Sequence, residues 1–239
     1  MKKIMFNDHY GLTKAVLEGR KTQTRRIIPE SWLEGVAEFQ EEYFNDTLDH
    51  IEGKELLEQY FLIEQRRKPH FAVGQILAVA QNYLTIMDYY HSLGHISTRQ
   101  VSEKELIFWN EMRIMESYGD DSAMQGDSNK MFVRAKLMPF QIRITDIRLE
   151  RLQDISDEDC LAEGIERWDD QKEYASDETV RRAINEIKAA GHDVFAIPEC
   201  WDCYTSQRDA YAALIDKVSG KGTWERNPWV FVYDFKLEK

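Results

Sequence analysis

The sequence has few cysteines and no long apolar segment, and both absences narrow the class of protein. Its 239 residues include three cysteines, Cys160, Cys200 and Cys203. This odd, thinly spread set excludes the disulfide framework of a small secreted domain. No stretch approaches the ~18 apolar residues of a membrane-spanning helix, and the opening MKKIMFNDHY lacks the apolar run of a signal peptide. We therefore expect a soluble, cytoplasmic protein with no membrane partner.

Motifs for metals and nucleotide phosphates are also absent. The six histidines show no HExxH or comparable ligand spacing. The CWDC segment at 200–203 has no second pair of zinc ligands at a compatible spacing and no thioredoxin-like unit around it. The SGKG segment at 219–222 lacks the spacing of a Walker loop. We expect no metal and no cofactor, and two partly buried thiols at Cys200 and Cys203.

Charge is distributed unevenly along the chain. The net charge of -12 argues against a broad nucleic-acid-binding surface, because affinity for phosphates comes from clustered Lys and Arg. Cations nevertheless outnumber anions in 11–30 and 131–151, whereas 31–70 and 166–204 are strongly acidic. Screening limits the reach of a charge to ~8–10 Å. The pattern therefore predicts a basic site framed by acidic segments.

Hydrophobic patterns predict four strands. A continuous apolar run predicts a strand buried on both faces within 71–83, and alternating patterns predict strands at 141–152 and 229–237. In the 141–152 segment the alternation of apolar and polar residues shifts by one position at Thr145 and Asp146, which indicates a bulge. The segment KTQTRRII, 21–28, is β-branched but polar on both parities, as in a strand at the rim of a cleft.

Capping residues predict three helices. One spans 10–18 and ends at Gly19; a second begins after Ser156 and ends at Gly164; a third begins after Ser206 and ends at Gly220. The last helix carries a predicted apolar stripe of Tyr211, Leu214, Ile215 and Val218. Irregular spacing between strands and helices favours an α+β fold over a doubly wound sheet. The segment 118–130 is the expected flexible loop.

Four segments together carry a resemblance to a known family. They are LEGRKTQTRR near the start, VGQILAV in the first apolar strand, ITDIRLERLQDISDEDCLAEGI in the middle and GKGTWERNPWVFVYDF at the end. The sequence resembles the ASCH family, small PUA-like β-barrel domains associated with RNA, and most closely the longer phage and bacterial type. The resemblance implies one domain with a PUA-like β-barrel core from 1–30, 71–83, 131–165 and 205–239. Helical insertions would then occupy 31–70, 84–130 and 166–204.

The resemblance also implies functional residues. Some ASCH proteins are amidohydrolases that remove the acetyl group from 4-acetylcytidine, and others are nucleases or only bind RNA. In the amidohydrolases the functional residues are a lysine and a threonine of GRKTxT and a glutamate on the later short helix. The matching positions are Lys21, Thr24 and Glu163. Thr24 would attack the amide carbonyl, Lys21 would act as the base, and Glu163 would polarise or protonate the leaving amine.

The residue types suit this chemistry. A lysine acts as a base only if desolvation or neighbouring cations lower its pKa, and Arg20, Arg25 and Arg26 would supply such cations. Glu163 falls in the last turn of its helix, where the helix dipole disfavours negative charge and would raise its pKa. Substrate contacts to a phosphate or a base carbonyl, and stacking on a base, are expected from the set Arg20, Thr22, Arg25, Arg26 and Trp229.

Less specific interpretations stay open. The basic segment also fits a solvated edge strand whose cations prevent aggregation, Glu163 also fits an exposed helix end, and Trp229 also fits the core. The expected function is recognition of RNA or a modified nucleoside, with hydrolysis of an acyl group from a cytidine-type base. The alternatives are a ribonuclease, or a non-catalytic module of phage or mobile-element origin that binds RNA, or binds a protein through its acidic insertions.

Overall fold

The computed structural model describes residues 1–44, 52–63, 69–118, 126–168 and 178–238. The strands are β1 (Lys2–Ile4), β2 (Gln23–Ile27), β3 (Ile76–Val79), β4 (Gln141–Arg151), β5 (Glu166–Trp168), β6 (Val194–Ala196), β7 (Cys203–Tyr204) and β8 (Trp229–Glu238). The helices are α1 (Leu12–Leu17), α2 (Val36–Tyr43), α3 (Gly53–Ile63), α4 (Tyr83–Ser92), α5 (Glu103–Tyr118), α6 (Asp157–Ala162), α7 (Glu178–Ala189), α8 (Gln207–Ser219) and α9 (Thr223–Arg226). Short 3-10 turns occupy Glu30–Trp32, Ile96–Thr98, Ala135–Leu137 and Leu152–Asp154.

The predicted α+β class is confirmed. Five strands form one sheet in the order β1-β3-β4-β8-β2, and three form a second sheet in the order β5-β6-β7. The β1–β3 pair is parallel, whereas the β2–β8, β3–β4, β5–β6 and β6–β7 pairs are antiparallel. A barrel closes only when its first and last strands pair. Both strand orders are linear, and no closed barrel is found among the described residues, so the predicted barrel core is not observed.

The chain divides into two compact units, and the first unit includes the first residues of the sequence. Unit 1 consists of Met1–Gly19, Gly74–Arg143 and Lys236–Lys239. Its strand β3 pairs with β1 in the register Lys3↔Ala78 and with β4 in the register Leu77↔Ile142. The apolar residues that bury α4 and α5 against this unit form one cluster, which includes Ala78, Tyr83, Ile86, Tyr90, Phe108, Met112, Leu137 and Met138.

Unit 2 consists of Arg20–Val73 and Ile144–Phe235. Strand β2 pairs with β8 in the register Thr24↔Tyr233. The three-stranded sheet also belongs to this unit. It lies in the segment expected to be a helical insertion, where three short strands gave no clear sequence signal. A separate apolar cluster supports it, formed by Trp168, Val180, Val194 and Ala196.

The local signals of helix ends are confirmed. The side chains of Ser156 and Ser206 accept hydrogen bonds from the backbone N–H groups of Asp159 and Asp209 and so cap α6 and α8. Gly164 follows α6 with φ of 106°, and Gly220 caps α8 with φ of 99°. These are backbone conformations that a side chain disfavours, so glycine ends each helix where the sequence predicts.

Several predicted boundaries and burial patterns differ from the structure. The apolar run at 71–83 forms only the four-residue β3, because the chain enters α4 at Tyr83. Val218 is 41% exposed, so the apolar stripe of α8 ends at Ile215. Strand β4 is continuous, and Thr145 and Asp146 are both exposed where the parity changes. Within the predicted flexible loop, 119–125 lie outside the described residues and 126–128 form a helical turn.

None of the helices in the described ranges combines the length and the apolar character that crossing a membrane requires.

Asp216 organises the turn that leads from α8 through α9 to β8. Its carboxylate accepts hydrogen bonds from the backbone N–H groups of Gly222 at 2.9 Å and Trp224 at 2.8 Å. These bonds hold the pKa of Asp216 below its usual value. A carboxylate with a lowered pKa stabilises the fold above its unfolded pKa, and that contribution is lost as pH falls through the folded pKa.

We predict that Asp216→Ala lowers the melting temperature at neutral pH by about 2–4 °C. Glu225→Ala, a change at an exposed acid in the same turn, serves as the control and should have little effect. The difference between Asp216→Ala and the wild type should shrink as pH falls through the acidic range in thermal unfolding. A difference that stays constant down to low pH would contradict this role of Asp216.

Candidate functional site

The start of β2 is held in place by its backbone. The N–H of Thr22 donates to the carbonyl of Ala162 at 2.9 Å, and the N–H of Phe235 donates to the carbonyl of Thr22 at 2.8 Å. These two bonds join the GRKT segment to the end of α6 on one side and to β8 on the other. Lys21, which precedes Thr22, therefore lies beside Glu163, which follows Ala162.

Lys21 and Glu163 form a buried ion pair at this junction. They are 142 positions apart in the sequence, yet Lys21 Nζ donates to Glu163 Oε2 at 2.6 Å and to the Glu163 backbone carbonyl at 2.6 Å. Lys21 is 2% exposed and Glu163 is 5% exposed. Glu163 is therefore not the exposed helix end that its spacing alone would allow.

Arg25 connects this pair to a second set of carboxylates. Its Nη1 lies 3.3 Å from Glu163 Oε1, and its Nη2 lies 3.1 Å from Glu150 Oε2 and 2.8 Å from Asp159 Oδ2. Arg25 Nη1 also donates to the side-chain carbonyl of Gln23. Burial disfavours the charge of Arg25, but Glu163 and the other carboxylates outweigh it and raise the pKa of the guanidinium.

Arg148 completes the network from β4. Its Nε donates to Glu150 at 2.5 Å, its Nη2 donates to Asp159 at 2.8 Å, and its Nη1 contacts Asp234. Gln23 Nε2 donates to Asp234 at 2.6 Å and to Asp159 at 3.1 Å. Three cations and four carboxylates thus meet in direct ion pairs. We call this set of residues, with Gln23, the Lys21 network.

Arg26 adds a fourth positive charge close to the Lys21 network. Burial lowers its pKa, whereas the charges of Glu163 and Tyr233 raise it. With Arg26 included, the formal charges of the four cations and four carboxylates cancel. The expected open basic cleft is therefore not formed by these residues, because Lys21 and Arg25 lie against acids instead of facing solvent as a positive surface.

The ionisation of Lys21 is perturbed in the direction that a base requires. Burial lowers the pKa of Lys21 and outweighs the contact with Glu163, which raises it. The positive charges of Arg26 and Arg25 lower the pKa further. A lysine with a lowered pKa is neutral more often near neutral pH, and only the neutral amine accepts a proton.

Thr24 and Arg26 lie on the other face of β2 from Gln23 and Arg25, because side chains alternate along a strand. The register places Thr24 opposite Tyr233 on β8. The side chain of Thr24 makes no hydrogen bond within the described part of the chain, to Lys21 or to any other group. The structure therefore brings Lys21 to Glu163 but does not join either of them to the Thr24 hydroxyl.

The remaining predicted contact residues are dispersed. Arg20 is exposed and pairs with Glu166 at 3.0 Å. Thr22 is exposed and contributes backbone hydrogen bonds. Trp229 lies at the other end of the β2–β8 ladder, beside Ile28, and its ring is covered by Arg151 at 4.4 Å. Trp229 is therefore not part of the Lys21 network, and one face of its ring is already occupied.

Five members of the Lys21 network were missed in the sequence. They are Gln23, Arg148, Glu150, Asp159 and Asp234. One signal was available, because Asp159 precedes Glu163 by four residues and residues at this spacing share a helix face. Asp234 could be connected to Gln23 only through the strand register, which the sequence does not reveal.

Tyr211 on α8 is a further buried group close to the Lys21 network. Burial and the charge of Glu163 raise its pKa well above the usual value, so the phenol keeps its proton. Its hydroxyl and Arg25 Nε have no hydrogen-bond partner within the described residues. One donor within the network, Arg25 Nε, and one beside it, the Tyr211 hydroxyl, therefore lack a hydrogen-bond partner among the described residues.

In the part of the chain that the structure describes, no group of three or more His, Cys, Asp or Glu side chains is arranged to hold a metal ion. Cys160 is buried, and burial raises its pKa to about 12. Burial also raises the pKa of Cys203. Both thiols are therefore poor nucleophiles.

Comparison with protein-family models, curated proteins and solved structures found no match. The ASCH assignment consequently stays a prediction from the motifs.

We predict that Lys21→Met lowers the free energy of unfolding by about 3 kcal/mol, because removing one member of a buried pair leaves the other charge poorly compensated. This is the lower end of the usual range, since Arg25 still contacts Glu163. Chemical denaturation of wild type and variant measures the difference. The control is Arg167→Met, which removes an ion pair whose side chains are 62% and 55% exposed and should cost no more than about 1 kcal/mol. Equal losses in the two variants would contradict the special burial of Lys21.

Proposed function

We propose that the protein recognises an uncharged modified nucleoside and removes an acyl group from the exocyclic nitrogen of its base. The observation that carries the proposal is the buried 2.6 Å contact between Lys21 Nζ and the Glu163 carboxylate, close to the positive charge of Arg26. Perturbed ionisable groups of this kind concentrate at functional sites. Both residues are those that the ASCH resemblance assigns to catalysis.

The charge balance supports a neutral ligand. Lys21 and Arg25 are paired with carboxylates at 2.6–3.3 Å, so a phosphate would have to displace an acid from one of them. A nucleoside without phosphate needs no such exchange. The proposal therefore favours recognition of a base over recognition of an RNA backbone.

The proposed reaction uses Thr24 as the nucleophile. The hydroxyl oxygen of Thr24 bonds to the carbonyl carbon of the acyl amide while its proton passes to neutral Lys21. Arg26, on the same face of β2 as Thr24, stabilises the negative charge that develops on the carbonyl oxygen. The carbon–nitrogen bond then breaks, and the leaving nitrogen receives a proton from Lys21 through Glu163. Water finally attacks the ester carbonyl while Lys21 accepts a proton from it; the bond to the Thr24 oxygen then breaks, Lys21 returns the proton to that oxygen, and the carboxylic acid is released.

Substrate binding must bring Lys21 and the Thr24 hydroxyl together. Catalytic hydrogen bonds are often absent in a free enzyme and form only when substrate is bound. The positive charge of Arg26 helps to lower the pKa of Lys21 and opposes the burial that raises the pKa of Tyr233, which lies opposite Thr24 in the strand pairing. This shared influence of Arg26 supports the proposal that Lys21 acts on the Thr24 face of the strand.

We predict that the purified protein releases cytidine from 4-acetylcytidine and that Thr24→Val, which keeps the shape of the side chain, lowers kcat by about 100-fold or more. Liquid chromatography of the nucleosides measures the conversion. Thr22→Val is the matched control, because the side chain of Thr22 is exposed, and it should retain activity. Turnover should change little with salt, since the substrate is neutral.

The other functional classes give different results in the same assay. Cleavage of single-stranded RNA that survives Thr24→Val would contradict the proposal and favour a ribonuclease. Binding of RNA without turnover, with an affinity that falls steeply as salt rises, would favour a non-catalytic module.

A further inference from the structure

Unit 1 contains a cavity of about 490 Å³ that the proposed function does not use. It lies where α4, the Ile96–Thr98 turn and α5 come together, and its volume is typical of small-molecule sites. Its lining includes one buried acid among aromatic and aliphatic side chains. None of the predicted catalytic or substrate-binding residues belongs to it.

Aromatic rings form much of the cavity wall. The rings of His91 and Trp109 are stacked with centroids 5.3 Å apart, and the ring of Tyr90 lies 6.4 Å from that of Trp109. Ile96 contributes an aliphatic side chain to the lining. Flat apolar walls favour a planar aromatic molecule, because ring faces gain contact area and stacking energy without fixing many rotatable bonds.

Glu105 is the acid that lines the cavity, and it is 1% exposed. Arg99 holds it in a two-pronged ion pair, Nη1 to Oε2 at 2.9 Å and Nη2 to Oε1 at 2.7 Å, and Trp109 Nε1 donates to Oε1 at 3.2 Å. The hydrogen bond from Arg99 keeps the pKa of Glu105 below its usual value, so the group stays ionised. Oε2 accepts one of these bonds and retains a lone pair for a donor on a ligand.

Tyr90 contributes a second polar group. Its hydroxyl is buried and has no hydrogen-bond partner within the described residues. Burial, with the charge of Glu105, raises the pKa of Tyr90 to about 12, so the hydroxyl keeps its proton and remains a donor. An unpaired buried donor is unfavourable, and an acceptor on a bound molecule would relieve it.

The charges around the cavity select a neutral molecule. Arg99 neutralises the carboxylate of Glu105 at 2.7 Å, so the pair gives no net attraction to a ligand of either charge. A charged ligand would lose its hydration there without gaining an opposite charge. An uncharged ligand avoids this penalty while its N–H groups still bond to the acid.

We propose that this cavity binds an uncharged, planar heteroaromatic molecule whose ring edge presents an N–H donor to Glu105 and an acceptor to Tyr90. The edge of a nucleobase has this arrangement of donor and acceptor. The proposal does not depend on acyl hydrolysis, because none of its residues belongs to the Lys21 network.

Calorimetric titration of the full chain with adenine and with cytosine tests the proposal, with tetramethylammonium and benzoate as charged comparators. We expect saturable binding of at least one base and of neither charged compound. Ile96→Trp should fill the cavity and weaken base binding at least tenfold. Ile114→Trp is the matched control, because Ile96 is 49% exposed and Ile114 47% exposed and Ile114 does not line the cavity; it should not change the affinity.

Tyr90→Phe separates ligand recognition from folding. It removes a hydroxyl that has no partner, so thermal stability should be retained while base affinity falls about tenfold. Four results would each overturn the proposal. They are tighter binding of either charged compound than of the bases, base binding that Ile96→Trp leaves unchanged, unaltered base affinity in Tyr90→Phe, and no saturable binding of either base. Thr24→Val should leave base binding by the cavity intact, so failure here and failure of the hydrolase proposal are distinguishable.

Discussion

The burial of Lys21 against Glu163 is the interaction on which the rest of the account depends. A lysine that is only 2% exposed can keep its charge only beside a carboxylate. The chain meets this requirement by fixing Thr22 between Ala162 and Phe235 through backbone hydrogen bonds. The contacts among β2, β8 and α6 therefore follow from the burial of Lys21 against Glu163, and the same burial lowers the pKa of Lys21.

The ion pairs around Lys21 also change the surface charge that the basic segment contributes to the folded protein. The cations of the GRKTQTRR segment predict a positive surface when the segment is considered alone. In the folded chain, Glu150 of β4, Asp159 of α6 and Glu163 just after α6 neutralise Lys21 and Arg25 at contact distance. Such an arrangement has little long-range attraction for phosphate, but it holds donors and acceptors in fixed positions in a region of low dielectric, where each hydrogen bond to a substrate is stronger.

Local features of the fold could be predicted from the sequence, whereas the composition of the network could not. Ser156 and Ser206 cap helices because their side chains bond to backbone only three residues away, and β8 forms because aromatic and β-branched residues alternate. The pairing of Asp234 with Gln23 depends on strand register, and the contact of Arg148 with Asp234 depends on β4 lying beside β8 in the sheet, so neither follows from a local pattern. Arg25 gave a misleading signal. An arginine among polar neighbours suggests an exposed side chain, whereas Arg25 is only 6% exposed.

The most direct test of the central claim is the titration of the Lys21 ammonium by NMR of side-chain-labelled lysines, assigned with Lys21→Met. The account predicts that this group loses its proton at a pH clearly below the ordinary lysine pKa of 10.5, separately from the exposed lysines. A resonance that titrates together with the exposed lysines would show that Lys21 is solvated and would contradict the account.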